Sequence, residues 1–225
     1  QEWEGVLRQG GIPEEMWPEL IDSVMDWVDA DDEPRLDGGE TEDYYDTLDP
    51  PRAAKNAPLG WVGELTLVKG FTPAVVFGGE LPVSDDKGDP LTCRGVAYLL
   101  TKYGGGKVNV NSASVDVLMT VLIDDNPDYP QYISREVAEI IELVREYEVS
   151  EGETEFRPFD NLNDFFSRVG ELEPYRDVVS RYIGTESPKF YKVTSVGRVQ
   201  RVEREISYTL RHIGKKTDVM EWREE

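Results

Sequence analysis

The hydrophobic period of this chain changes near residue 190, and that change limits the folds open to it. Val202, Ile206, Tyr208 and Leu210 alternate with Glu203, Glu205, Ser207, Thr209 and Arg211, which predicts a strand with one apolar face. Phe190 to Val199 reads as its partner, with a turn between Gly197 and Arg201. An isolated two-stranded ribbon is marginal in water. The pair must therefore pack on the helical block that precedes it or on a segment upstream of Gln1. The charged tail after Gly214 is expected to fray.

Most of the preceding chain has helical spacing. Ile12, Met16, Leu20, Ile21, Val24 and Val28 predict a helix over about Pro13 to Val28, with Pro13, Pro18, Glu14 and Glu15 suited to its first turns. A short helix is expected over Val62–Val68, closed by Gly70, and a further turn after Thr72-Pro73. Residues 79–95 carry Gly79, Pro82, Asp85, Asp86, Gly88, Asp89 and Pro90 and are expected to form a long exposed loop. Val96 to Tyr103 fits strand or helix and stops at Gly104-Gly105-Gly106. Three further helices carry Val115, Leu118, Met119 and Leu122; Val137, Ile140, Ile141 and Val144; and Leu162, Phe165, Phe166 and Val169. Their expected caps are Ser112 or Ser114, Ser134, and Asn161. Gly170 is the expected stop of the third, and a fourth helix runs from near Pro174 to Ile183.

Charge removes several function classes. Across 225 residues, 24 Lys and Arg face 46 Asp and Glu, a formal net charge of -22. Such a surface repels phosphate backbones and anionic lipid and attracts cations. The single cysteine, Cys93, rules out an internal disulfide and a Cys-based zinc site, and its acidic loop disfavours a reactive thiolate. The single histidine, His212, removes poly-His metal sites and argues against a His-based triad. Asp31 and Glu40 could pair for acid–base work, but no pocket or partner accompanies them, so the chain is read as a non-enzyme. No apolar run reaches 18 residues, and the start at Gln1 suggests a longer product.

The acidic loop is the clearest chemical signal. Eleven carboxylates and one base, Arg35, lie between Asp26 and Asp49. Counted from Asp29, the residues Asp31, Glu33, Asp37 and Glu40 take carboxylate positions of an EF-hand, but Pro34 occupies the position that needs glycine, which argues against that motif. Two readings stay open: a calcium site, since a flexible loop with many oxygens suits calcium better than magnesium, or a solvated acidic loop. Alternation in Asp29-Ala30-Asp31 and a return past Gly38-Gly39 pick out Asp29, Asp31, Glu40 and Asp43 as ligands, with Asp32, Glu33 and Asp37 as second choices. Separately, Asn109 to Ala113, the helices at Leu118 and Glu136–Arg145, and Leu162 to Phe165 look like a helix-hairpin-helix. Its hairpin, Asp124 to Asp128, is too acidic and too long to hold DNA, so no nucleic-acid partner is expected.

Several segments fall in an order that resembles a known family. They are Asp26-Trp27-Val28-Asp29-Ala30-Asp31, Gly38-Gly39-Glu40 with Asp43-Tyr44-Tyr45, and Asn56-Ala57-Pro58 with Glu64 to Gly70. Leu100 to Tyr103, Gly106 to Ala113, Pro158-Phe159 and Gly197-Arg198-Val199 follow. From about Trp17 to His212 the chain resembles the type II secretion system minor pseudopilins of the general secretion pathway protein K family. Gly39 and Ser112 depart from the family's usual Ala and Thr.

The resemblance implies an α+β fold: a large helical domain of two SAM-like units inserted in a pilin-like fold, whose last antiparallel strands close this chain. The expected divisions are 1–104 and 105–184 for the helical units, meeting near Gly104, and 185–225 for the pilin strands and tail. It also implies a noncatalytic tip subunit with minor pseudopilins I and J as partners, calcium in the helical domain, and a periplasmic domain anchored in the bacterial inner membrane through an N-terminal helix absent from this sequence. On that expectation the missing helix covers the apolar face of the last strands. An acidic calcium-dependent binding module unrelated to pili is the first alternative, and a helix-hairpin-helix nucleic-acid binder, disfavoured by the net charge of -22, is the second.

Overall fold

The computed structural model describes residues 2–104, 106–126, 128–150, 153–186, 189–200 and 202–224. Of the expected turn features, Gly105, Pro127 and Arg201 lie outside these. The chain is a mixed α+β protein with helices and small sheets first and one larger sheet last.

Helix α1 spans Glu2–Gly10, and a single 3-10 turn, Glu14–Met16, leads into α2, Trp17–Val28. Pro18 falls in the first turn of α2, where its missing N–H leaves no bond unmade. Leu20, Val24 and Trp27 form the buried stripe of that helix. Residues 29–40 are irregular, and two 3-10 segments follow at Tyr45–Thr47 and Val62–Leu67. Thr72 caps α3, Pro73–Phe77, by accepting from the Val75 N–H.

The expected loop over 79–95 is instead a hairpin. Strand β1, Gly79–Ser84, pairs antiparallel with β2, Pro90–Cys93, and Leu81 is buried beneath it. The Asp85 carboxylate makes the turn by accepting from the N–H groups of Lys87 and Asp89. Turn residues dominate the composition here, but they sit at the tip and the strands need only a few residues. The ambiguous 96–103 stretch holds a short 3-10 helix, Ala97–Leu99.

The second half begins with β3, Val108–Asn109, and α4, Val115–Leu118, capped by Ser114. Strands β4, Leu122–Asp124, and β5, Gln131–Tyr132, form a small hairpin before α5, Arg135–Arg145, which Ser134 caps. Leu122, expected on the helix, therefore lies in a strand, and a β-hairpin separates the two helices of the anticipated helix-hairpin-helix. A second hairpin that the sequence did not announce joins β6, Glu146–Ser150, to β7, Glu153–Phe156. Asn161 caps α6, Leu162–Arg168, which stops directly before Gly170 as expected, and a separate 3-10 segment from Gly170 to Tyr175 continues into α7, Arg176–Tyr182. Strand β8, Ile183–Gly184, pairs parallel with β3.

Two apolar clusters organise this body. One gathers Leu7, Leu20, Trp27, Tyr45, Leu65, Val76 and Val96; the other gathers Val110, Leu118, Ile141, Phe165, Phe166 and Val179. Helix α1 bridges them. A side chain at Gly5 would collide with the Thr120 carbonyl and the Tyr132 ring, so glycine permits the close approach. Beside it, Asp116 accepts from Gln9, Arg94 and Arg135 at 2.9, 2.8 and 3.4 Å.

The final sheet has three strands. Strand β9, Phe190–Val199, and β10, Val202–Ile213, meet at the expected turn. The tail expected to fray forms β11, Lys216–Glu224, on the other side of β10. Direct pairing puts Val193, Val199, Val202, Ile206, Tyr208, Leu210 and Trp222 on one face. Arg198, Glu203, Lys192, Thr209 and Glu221 lie on the other. The apolar face is open: Val199, Val202 and Trp222 are 73%, 60% and 65% exposed.

Candidate functional site

The acidic loop begins where α2 ends. Asp26 is fully buried in the last turn, and Asp29 is the C-terminal cap residue. One Asp26 oxygen accepts from the Arg35 guanidinium at 2.6 Å, and the other from the Arg35 and Gly39 N–H groups at 3.1 and 2.9 Å. The same Arg35 nitrogen reaches Asp29 at 2.6 Å. These two carboxylates, Asp29 first, hold the guanidinium more firmly charged. Arg35 thus supplies part of the positive charge that so many acids need. A side chain at Gly38 would overlap the Asp26 carboxylate, which is the local reason for glycine there.

Beyond the Gly38-Gly39 turn, the chain returns under α2. The Lys69 ammonium donates to the carbonyls of Asp37 and Gly38 at 3.0 and 2.6 Å. Glu40 is then buried, at 2% exposed, and neither of its carboxylate oxygens has a donor. Burial, reinforced by the negative charges of Asp26, Asp29 and Asp32, pushes its acid up to about 7. One oxygen of Asp29 and the side-chain carbonyl of Asn56 are also buried and without donors. An unpaired buried oxygen costs about 1–3 kcal/mol, more when charged.

The other sequence candidates are placed differently. Asp43 accepts from the Glu40 N–H at 2.8 Å and braces the turn. Asp31 accepts from the Glu33 N–H at 3.1 Å. Asp32 accepts from the Asn56 side chain at 2.9 Å, and the Asp31 carbonyl accepts from the same amide at 3.0 Å. The side chains of Glu33 and Asp37 point to solvent. Among the described residues, no three Asp, Glu, His or Cys side chains gather as a ready metal cage. Asn56 was missed by sequence reasoning, which weighed acids alone. Its left-handed backbone, φ 50°, is what turns its amide into the loop. Below, Trp27 donates to Glu64 at 3.0 Å, and Lys55 and the Gly60 N–H also bond that carboxylate. Burial raises Glu64, but Lys55 and Trp27 outweigh it and hold the acid below its usual range.

Comparison with known proteins points the same way. Residues 1–77 match the family model described as type II secretion system (T2SS), protein K. A curated protein of Escherichia coli (strain K12) that carries the name type II secretion system protein K is 36% identical over 72 residues. That match spans 32% of this chain and 22% of the relative's length. The whole chain also superposes on 69% of a chain in the crystal structure of the GspK-GspI-GspJ complex from enterotoxigenic Escherichia coli, with a TM-score of 0.64 at 14% identity. The fold is therefore shared along its full length, and the acidic loop lies at the centre of the residues that match the protein K family model.

Proposed function

We propose that this chain is the bulky part of a minor pseudopilin, a noncatalytic subunit at the tip of the type II secretion pseudopilus. The observation that carries this is the protein K match over the acidic-loop region within a fold shared end to end with a chain of the GspK-GspI-GspJ complex. Its partners are the minor pseudopilins I and J of the same system. Residues 1–104 and 105–184 act as the two helical units, each around one apolar cluster, and 185–225 as the end of a pilin-like sheet. The two-cluster packing supports that division.

The open apolar face of the sheet supports a pilin-like arrangement in which an N-terminal helix, upstream of this sequence, covers Val199, Val202 and Trp222 and anchors the protein in the inner membrane. Among the described residues, no helix is long and apolar enough to cross a membrane. The helical body then stands in the periplasm.

Calcium belongs to the same proposal. The donor-less oxygens of Glu40, Asp29 and Asn56, with Asp32 and Asp26 nearby, suit a hard cation that takes oxygen ligands. Asp31 and Asp43 would serve through the loop's backbone and the Glu40 turn. A bound ion would offset the repulsion that Arg35 relieves only in part and would tie the loop to the end of α2.

The test is reconstitution. The chain is mixed with the soluble domains of pseudopilins I and J and run by gel filtration. A stable ternary peak is expected, and three separate peaks under calcium-replete conditions would overturn the assignment.

A further inference from the structure

Within this sequence the helical body passes into the C-terminal sheet between β8 and β9. Contacts between the two bodies, beyond that passage, are what fix the angle between them. Asn109 and Asn111 hold the start of the link by donating to the carbonyls of Glu186 and Thr185 at 2.9 and 3.2 Å. That secures the second cluster's side only.

The second contact comes from the loop that leaves the first cluster. Leu100 still packs against that cluster. Two residues later the chain reaches the polar face of the sheet. The Tyr103 ring stacks on Phe190 of β9, with centroids 5.0 Å apart and planes 25° from parallel. Its hydroxyl donates to Glu221 of β11 at 3.3 Å, and the Lys102 ammonium lies 3.2 Å from the same carboxylate. Phe190 and Glu221 occupy neighbouring rows on opposite edge strands, so the contact spans the width of the sheet. The Lys102 and Glu221 side chains are only 27% and 29% exposed, which sets the pair apart from a solvated surface bridge.

The loop is shaped for this contact. The Thr101 hydroxyl accepts from the Tyr103 N–H at 3.1 Å, and Gly104, at φ 141°, turns the chain away immediately afterwards. Such a φ strains any residue with a side chain.

We infer that Lys102 and Tyr103 form a clip that fixes the angle between the helical body and the C-terminal sheet. They are positioning residues: they hold the first cluster to the sheet while Asn109 and Asn111 hold the second. The clip follows from this chain's own contacts and stands whether or not the pseudopilin assignment does.

The test reads the angle directly. Nitroxide labels are placed on Glu15→Cys, exposed beside α2, and Lys215→Cys, exposed at the β10–β11 turn, in a Cys93→Ser background. Electron–electron resonance then gives the distance distribution in the full chain. A narrow distribution is expected for the parent. Tyr103→Ala should about double its width and speed amide exchange across β9 roughly tenfold, while Tyr103→Phe, which keeps the stack, stays near the parent. Tyr103→Phe combined with Glu221→Gln removes the hydroxyl bond and the charge that draws Lys102 and should broaden it as well, and that pair decides the matter if Tyr103→Ala fails to fold. A Lys102→Ala/Tyr103→Ala chain that folds with the parent's width, or a combined Tyr103→Phe/Glu221→Gln chain unchanged from it, would overturn the clip.

Discussion

Replacing Glu40 by Gln should change stability in opposite directions with and without calcium. The carboxyl titrates near 7 in the folded chain and at 4.5 as an ordinary glutamate, so the folded state holds its proton more tightly. Between these two values the unfolded state binds fewer protons, and stability falls as pH rises. Above 7 the full cost applies, about 3 kcal/mol for the charge held without a donor. Glu40→Gln abolishes that charge at almost constant volume. In chelator at pH 8 the variant should therefore be more stable than the parent by about 2 kcal/mol, because the amide's own unmade hydrogen bonds reduce the gain. At pH 5 the two should nearly coincide. With calcium at about 100 times its dissociation constant, the parent gains about 2.7 kcal/mol, and the variant, lacking a ligand, becomes the weaker of the two. Urea denaturation at both pH values, with chelator and with calcium, gives all four comparisons. A variant that matches the parent at pH 8 in chelator would refute the buried-charge reasoning. A gain in chelator that calcium does not reverse would refute the metal while sparing the electrostatics.

Further outcomes are expected. Gly38→Ala should cost about 1–3 kcal/mol in denaturant melts, since its methyl group must displace the Asp26 carboxylate from the Arg35 and Gly39 bonds, and a variant as stable as the parent would show that the turn yields freely. Phe165→Ala should cost about 3–5 kcal/mol by opening a cavity in the second cluster, whereas Val202→Asp on the open sheet face should move stability by no more than about 0.5 kcal/mol. If the proposed upstream helix covers that face, Val202→Asp in a chain that carries it should nonetheless impair pseudopilus assembly, and normal assembly and secretion would argue against the covering helix. Asp116→Ala should cost about 1 kcal/mol by removing the acceptor shared by Gln9, Arg94 and Arg135, and calorimetry should show the two clusters beginning to melt apart.

Much of the local structure was legible because local chemistry decided it. Thr72-Pro73, Ser134 and Asn161 each cap a helix through a side chain three residues from its partner N–H, and that relation is written in the sequence. The alternation in β10 named the apolar face, and the protein K motifs from Asp26 to Gly70 fall within the residues that match the protein K family model.

The misses have separate physical causes. Strand β11 was hidden because a register shift between Thr209 and Leu210 of its partner admits Met220 as an extra residue, which breaks the alternation beside Val219 and Trp222. The hairpins at 79–93 and 146–156 use strands too short for a period to stand out from the turn and helix residues beside them. In the acidic loop, the sequence determined that the carboxylates would crowd together. Only the tertiary structure decided which of them are satisfied. Arg35 neutralises Asp26 and Asp29 because the chain has already folded back onto the end of α2 when it reaches Arg35, and Asn56 joins from 24 residues beyond Asp32 through a left-handed backbone turn. Glu40 is left buried and without a donor by packing under α2, a property of burial that depends on distant segments closing over one side chain and so has no signature in the residues beside it.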